Sequence, residues 1–146
     1  HEKDRQACIE ALKDGTIDYI ATDHAPHSDY EKEKEYNIAP FGINGFETAF
    51  ASLNTYLIKN NKIDLNTIVK AMSEKPAQFL GLNTGKITEG YLADLNIIDL
   101  DADIEFTRET MLSKSINTPY INQTLKGKVE YTICEGRITW EAESIH

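Results

Sequence analysis

Asp23 and His27 are the two side chains whose type and setting could do chemistry. The stretch Thr16-Ile17-Asp18-Tyr19-Ile20-Ala21-Thr22 is mostly apolar and β-branched, which predicts a short buried strand ending at Asp23. A carboxylate at the C-terminal end of a buried parallel strand stands where barrel enzymes place groups that move protons or hold metal ions. In many proteins the same residue only caps the turn that follows. His27 follows in the polar loop His24-Ala25-Pro26-His27, where an imidazole can bind an anion or a metal, or simply face water.

The elements around this loop must position it. Asp4 to Asp14 carries Cys8, Ile9 and Leu12 on one helical face, and Gly15 follows as a stop. A helix leading into a buried strand points to an α/β layer. From Ser28 to Asn37 the chain is nearly all charged or polar, with Glu31-Lys32-Glu33-Lys34-Glu35 in a row. Such a run is ordinarily a solvated face, although its place after the loop also suits a mobile lid. Ala39-Pro40-Phe41-Gly42-Ile43-Asn44-Gly45 is turn-rich. Phe46, Ala49, Phe50, Leu53 and Leu57 then recur at helical spacing and predict an amphipathic helix.

A further helix is expected from Asp64, which can cap it while Ile63 and Ile68 form a hydrophobic staple. Leu65, Ile68, Val69 and Met72 supply its apolar stripe, Pro76 ends it or opens a short following turn, and Gly81 stops that turn. After Gly90 the pattern becomes strand-like at Leu95 to Ile98, Ile104 to Phe106 and Val129 to Ile133. Glu135-Gly136 is expected to turn tightly into Ile138-Thr139-Trp140, with an irregular stretch from Ser113 to Gln123. The chain therefore divides into an α/β piece to residue 84 and a small β piece over 85–146.

Composition narrows the partners. A net charge of -9, from 24 acidic and 15 basic residues, repels phosphate backbones and anionic lipid, so neither nucleic acid nor membrane is expected. No apolar run approaches the roughly 20 residues that span a bilayer. Cys8 and Cys134 lie far apart and form no CxxC pair, so they are expected to be buried thiols in a reducing cytoplasm. His1-Glu2-Lys3-Asp4-Arg5 runs into a helix with no initiator Met, which suggests a truncated start or a residual tag residue.

The run Asp18-Tyr19-Ile20-Ala21-Thr22-Asp23-His24-Ala25-Pro26-His27 resembles the eighth-strand signature of dihydroorotases, within the amidohydrolase superfamily. The likeness continues through Ala39 to Thr48, Ser73-Glu74-Lys75-Pro76-Ala77, Gly90 to Leu95, Ser113 to Pro119, Lys126 to Val129 and Gly136-Arg137-Ile138. Ala-Asp-Leu alone is common among amidohydrolases. Thr-Asp-His-Ala-Pro-His joined to Ala-Pro-Phe-Gly-Ile is far more specific.

The resemblance implies an α/β fold: the C-terminal part of a (β/α)8 TIM barrel over 1–84, then strands of a small β-sandwich over 85–146. It implies one or two zinc ions at the barrel mouth, and reversible hydrolysis of L-dihydroorotate to N-carbamoyl-L-aspartate in pyrimidine biosynthesis. By position, Asp23 would be a metal ligand and the general base. It would take the proton of a zinc-bound hydroxide and pass it to the leaving nitrogen. His27 would bind the substrate carboxylate together with backbone groups of Phe41 and Gly42. His24 is expected to point away and carries no catalytic role.

The family's other ligands, and its Asn-Pro-Pro-Leu-Arg segment, would lie upstream. Zinc needs about three protein ligands, so the chain alone is expected neither to hold the ion nor to turn over. Expected partners are the small-molecule substrate, the N-terminal part of the barrel, and a second copy or aspartate transcarbamoylase. Three alternatives stay open: a hydantoinase or allantoinase, a non-catalytic dihydroorotase-like subunit scaffolding aspartate transcarbamoylase, and a self-contained binding domain.

Overall fold

In the computed structural model, which describes residues 1–142, helices occupy the first part of the chain and one antiparallel sheet the second. Helix α1 (Glu2–Asp14) stops where Gly15 turns left-handed at φ 84°. Ile9 is buried and Leu12 half-buried against a core cluster with Ile63 and Ile68. Both cysteines are exposed, contrary to expectation. Cys8 precedes Ile9 on α1, and one residue is a rotation of about 100° around a helix, which turns Cys8 toward solvent. Cys134 ends its strand at the rim of a turn.

The expected buried strand over Ile17 to Thr22 does not form a ladder. Its backbone makes few bonds, among them Ile17 N to Ala11 O and Ile20 N to Ala71 O, and Tyr19 and Ala21 are exposed. A strand is defined by its neighbours, and these residues have none beside them; apolar composition alone cannot supply the missing hydrogen bonds.

Helix α2 (Asp29–Lys32) is one turn inside the charged run, closed by a capping box between Ser28 and Glu31. Helix α3 (Ala49–Leu53) continues as a π-helical turn (Asn54–Ile58), with Ala51 and Asn54 buried. Phe46 does not join this helix as expected. It lies in the turn before it and is 70% exposed.

Helix α4 (Leu65–Val69) starts as anticipated: Asp64 accepts the Thr67 N–H at 2.9 Å, and Ile63 and Ile68 are 3% and 1% exposed in one cluster. Burying Ile68 contributes about 1.5–3 kcal/mol. Pro76 opens a short following helix, the second of the two outcomes expected of it. A π-turn (Lys70–Glu74) leads straight into α5 (Lys75–Phe79) with the proline in its first turn. Proline clashes with the carbonyl four residues back in α register, and the wider π register just before it makes room. Gly81, at φ 66°, lies beyond the end of α5. Val69, expected in the buried stripe, is exposed.

Strands β1 (Leu95–Phe106), β2 (Gln123–Cys134) and β3 (Arg137–Glu141) form a sheet in that order. Glu135 and Gly136 both have positive φ, 50° and 77°, as the tight turn of a two-residue hairpin demands. The pairing of β1 with β2 slips between Asp99 and Asp103. Asn54 reaches this bulge from the helix, donating through Nδ2 to Leu100 O and Lys126 O at 3.0 and 2.9 Å. Ala51 joins Phe106, Met111 and Leu125 in a second core cluster, so helix α3 is bonded and packed to the sheet. No second sheet lies among the described residues. Nor is any helix among them long and apolar enough to cross a membrane.

Candidate active site

Two segments, 22–27 and 42–46, run side by side through an isolated parallel bridge between His24 and Ile43. Ala25 N donates to Ile43 O at 2.9 Å. Their closeness depends on glycine. A Cβ on Gly42 would stand 2.5 Å from Ala25 Cβ, and one on Gly45 would stand 2.9 Å from Thr22 Cβ.

His24 serves this juncture. Its Nδ1 accepts the N–H groups of Gly45 and Phe46 at 3.1 and 3.3 Å, and its ring stacks on Phe46. An Nδ1 that accepts leaves the imidazole proton on Nε2.

Asp23 is exposed and adopts φ 47°, the left-handed region that few non-glycine residues enter. His27 is half-buried. Its N–H donates to Asn117 Oδ1 at 3.2 Å, and its Nδ1 lies 3.8 Å from Glu31 Oε2. Its Nε2 would be 3.7 Å from a Cβ on Gly42, so His27 and Gly42 stand together. Phe41 is 92% exposed.

The charged run contributes more than a solvated face. Lys32 Nζ donates to Pro40 O at 3.0 Å and Gly42 O at 3.1 Å, gripping the loop on both sides of Phe41. The Ser28 backbone N–H, then its hydroxyl, hold the Glu31 carboxyl below its ordinary range. Arg108 pairs with Asp29 at 2.9 Å and ties the run to the segment after β1.

A polar cluster absent from the sequence-based site completes the arrangement. Asn117 Nδ2 donates to Ala25 O at 2.9 Å and Gly42 O at 3.3 Å. Its Oδ1 faces the His27 N–H and, at 2.9 Å, Ser115 Oγ. The buried Asn44 donates through Nδ2 to Ser115 O, and its own N–H donates to Asn117 O at 3.1 Å. Glu47 accepts the N–H groups of Leu112 and Ser113. Three distant parts of the chain thus meet behind His27 and Gly42. The only advance signal was Ser113 to Pro119, a stretch with polar residues but no periodicity.

As for a metal, no three His, Cys, Asp or Glu residues converge among the described residues. Asp23 offers one ligand where about three are needed. The residues present do not by themselves fit a zinc ion.

Asp23 and His27 thus lie four residues apart in one loop, with Gly42 beside the His27 ring, on an α/β scaffold. Residues 1–139 match the amidohydrolase family, and the chain belongs to it. Within that family it is similar to the dihydroorotase of Bacillus cereus (strain AH820), with 48% identity over 143 residues covering 98% of this chain and 33% of the relative. The dihydroorotase of Lactiplantibacillus plantarum is also 48% identical over 143 residues, with coverage of 97% and 33%. The chain spans about a third of the length of the curated relatives it matches.

Among solved structures, the L-hydantoinase (dihydropyrimidinase) from Arthrobacter aurescens superposes with a TM-score of 0.86 at 28% identity, over 95% of this chain and 32% of that one. The dihydropyrimidinase from Brevibacillus agri NCHU1002 superposes at 0.84 with 24% identity, over 93% and 31%, a likeness of fold.

Proposed function

We propose that the chain is the C-terminal third of a dihydroorotase, which opens the ring of L-dihydroorotate to N-carbamoyl-L-aspartate and closes it again. The observation that carries this reading is the 48% identity to dihydroorotases across 98% of the chain. In this reading residues 1–84 complete a (β/α)8 barrel and 85–146 contribute strands to a β-sandwich. The remaining strands and the other metal ligands come from the other two thirds of the enzyme. The complete enzyme works with one or two zinc ions, in the cytoplasm, as a homodimer or beside aspartate transcarbamoylase.

Asp23 is the general base. Its carboxylate takes a proton from the attacking water as oxygen bonds to the ring carbonyl carbon, then gives it to the ring nitrogen as the C–N bond breaks. His27 and the backbone of Phe41 and Gly42 hold the substrate carboxylate. That contact is made equally before and during the reaction, so it serves binding.

The test is to supply the complete protein containing this chain with dihydroorotate, hydantoin and allantoin and follow ring opening of each. Turnover of dihydroorotate alone is expected. Preference for hydantoin or allantoin would reassign the substrate, and inactivity toward all three in the zinc-loaded protein would favour a non-catalytic subunit.

A further inference from the structure

We propose that Asn117 is a positioning residue for the anion pocket, setting the separation of His27 from the Phe41–Gly42 backbone. The proposal rests on the reading of that pocket given above. Asn117 lies between β1 and β2, far along the chain from both sides of the pocket, yet it bonds to each. Its Nδ2 donates to Ala25 O and Gly42 O, while its Oδ1 accepts from His27 N and Ser115 Oγ. An amide has two N–H donors and two acceptor lone pairs, so these four partners use the whole group. Turning the amide over would set its oxygen against two carbonyls and one of its N–H groups against the His27 N–H. One orientation survives.

The anchor is itself fixed. Asn117 O accepts the Asn44 N–H, and Asn44 is 1% exposed and bonded to Ser115. The side chain therefore cannot follow a drifting loop. It couples Ala25 and His27 on one segment to Gly42 on the other through a single planar group. Aspartate lacks the donors, alanine lacks every contact, and glutamine is one methylene too long. Loosening this link widens a pocket that grips the substrate away from the scissile bond. The loss falls on binding, so KM changes rather than kcat.

The experiment compares wild type, Asn117→Ala and Asn117→Asp in the complete enzyme. It reads kcat and KM for dihydroorotate, together with amide hydrogen exchange at His27. KM is expected to rise about tenfold in both variants with kcat within about threefold of wild type, the pattern of lost uniform binding. Exchange at the His27 N–H should quicken about tenfold in Asn117→Ala, as for one lost hydrogen bond. If the alanine variant does not fold, the near-isosteric aspartate variant decides on KM.

Unchanged KM overturns the proposal. So does a fall in kcat at constant KM, which is the mark of a smaller active fraction. Failure of the dihydroorotase reading looks different: wild type itself leaves dihydroorotate intact. The His27 exchange rates then decide alone, and equal rates in wild type and Asn117→Ala overturn the positioning role.

Discussion

The imidazole of His24 lies flat on the ring of Phe46, centroids 4.0 Å apart and planes 8° from parallel, while Nδ1 accepts the Gly45 and Phe46 N–H groups. One side chain thus satisfies two loop donors and covers one face of an aromatic residue that stays 70% exposed. Replacing His24 by Phe keeps the stack and deletes the acceptor. Exchange of the Gly45 and Phe46 amides should then quicken about fivefold, the effect of a net hydrogen bond of roughly 1 kcal/mol each. Amide exchange read by NMR checks this, and unaltered rates at both positions would assign the order of the loop to stacking alone.

Asp23→Asn preserves shape and removes basicity. In the complete enzyme kcat should fall by at least about a hundredfold, the lower end of what a general base contributes. His27→Ala should instead raise KM with a smaller change in kcat. Steady-state ring opening of dihydroorotate separates the two, and near-normal kcat in Asp23→Asn would remove the role given to that carboxylate.

Ile68→Ala removes a side chain that is 1% exposed at the centre of the cluster with Ile9 and Ile63. It should cost about 2–5 kcal/mol, as such deletions leave a cavity the surroundings fill only in part. Urea unfolding followed by circular dichroism measures it. A loss under the lower bound would mean that Leu53, Leu57 or Met72, which pack on the cluster, close the gap.

The cap of α4 predicts an acid dependence. The Thr67 backbone N–H, then its hydroxyl, hold the Asp64 carboxyl below its ordinary value of 3.8. A depressed folded-state pKa means that the stabilisation is fully present above the unfolded value, near 3.8, and is lost as pH falls through the lower folded one. Asn caps nearly as well as Asp and does not titrate there. Wild type should therefore lose thermal stability relative to Asp64→Asn only on the acid side of 3.8, and parallel melting curves across that range would contradict the linkage.

The features legible in advance were local ones. Asp64 with Ile63 and Ile68, and Glu135 with Gly136, are signals carried by neighbours in sequence, and each formed as read. The tight opposition of segments 22–27 and 42–46 agrees with the turn-rich, glycine-containing reading of 39–45. What escaped was non-local. Ile17 to Thr22 has strand composition, but a ladder needs partners that composition does not reveal. Pro76 opens the short helix α5, one of the two outcomes expected of it, but the π register ahead of it has no sequence signature. Asn117 and Lys32 act on carbonyls of other segments, and nothing in their immediate surroundings marks them.

Gly42 carries two separate prohibitions at one atom. A methyl there would collide with Ala25 Cβ at 2.5 Å, and the backbone at φ +106° disfavours any L side chain whatever the space. Ala25→Gly could clear the first obstacle but leaves the handedness of the second untouched. Gly45 differs, since its backbone carries no such positive φ and its crowding comes from Thr22. The juncture of the two segments can therefore drift by compensating exchange at one of its two glycines, whereas at Gly42 no single partner change opens a path, and variation there requires the whole turn to be rebuilt.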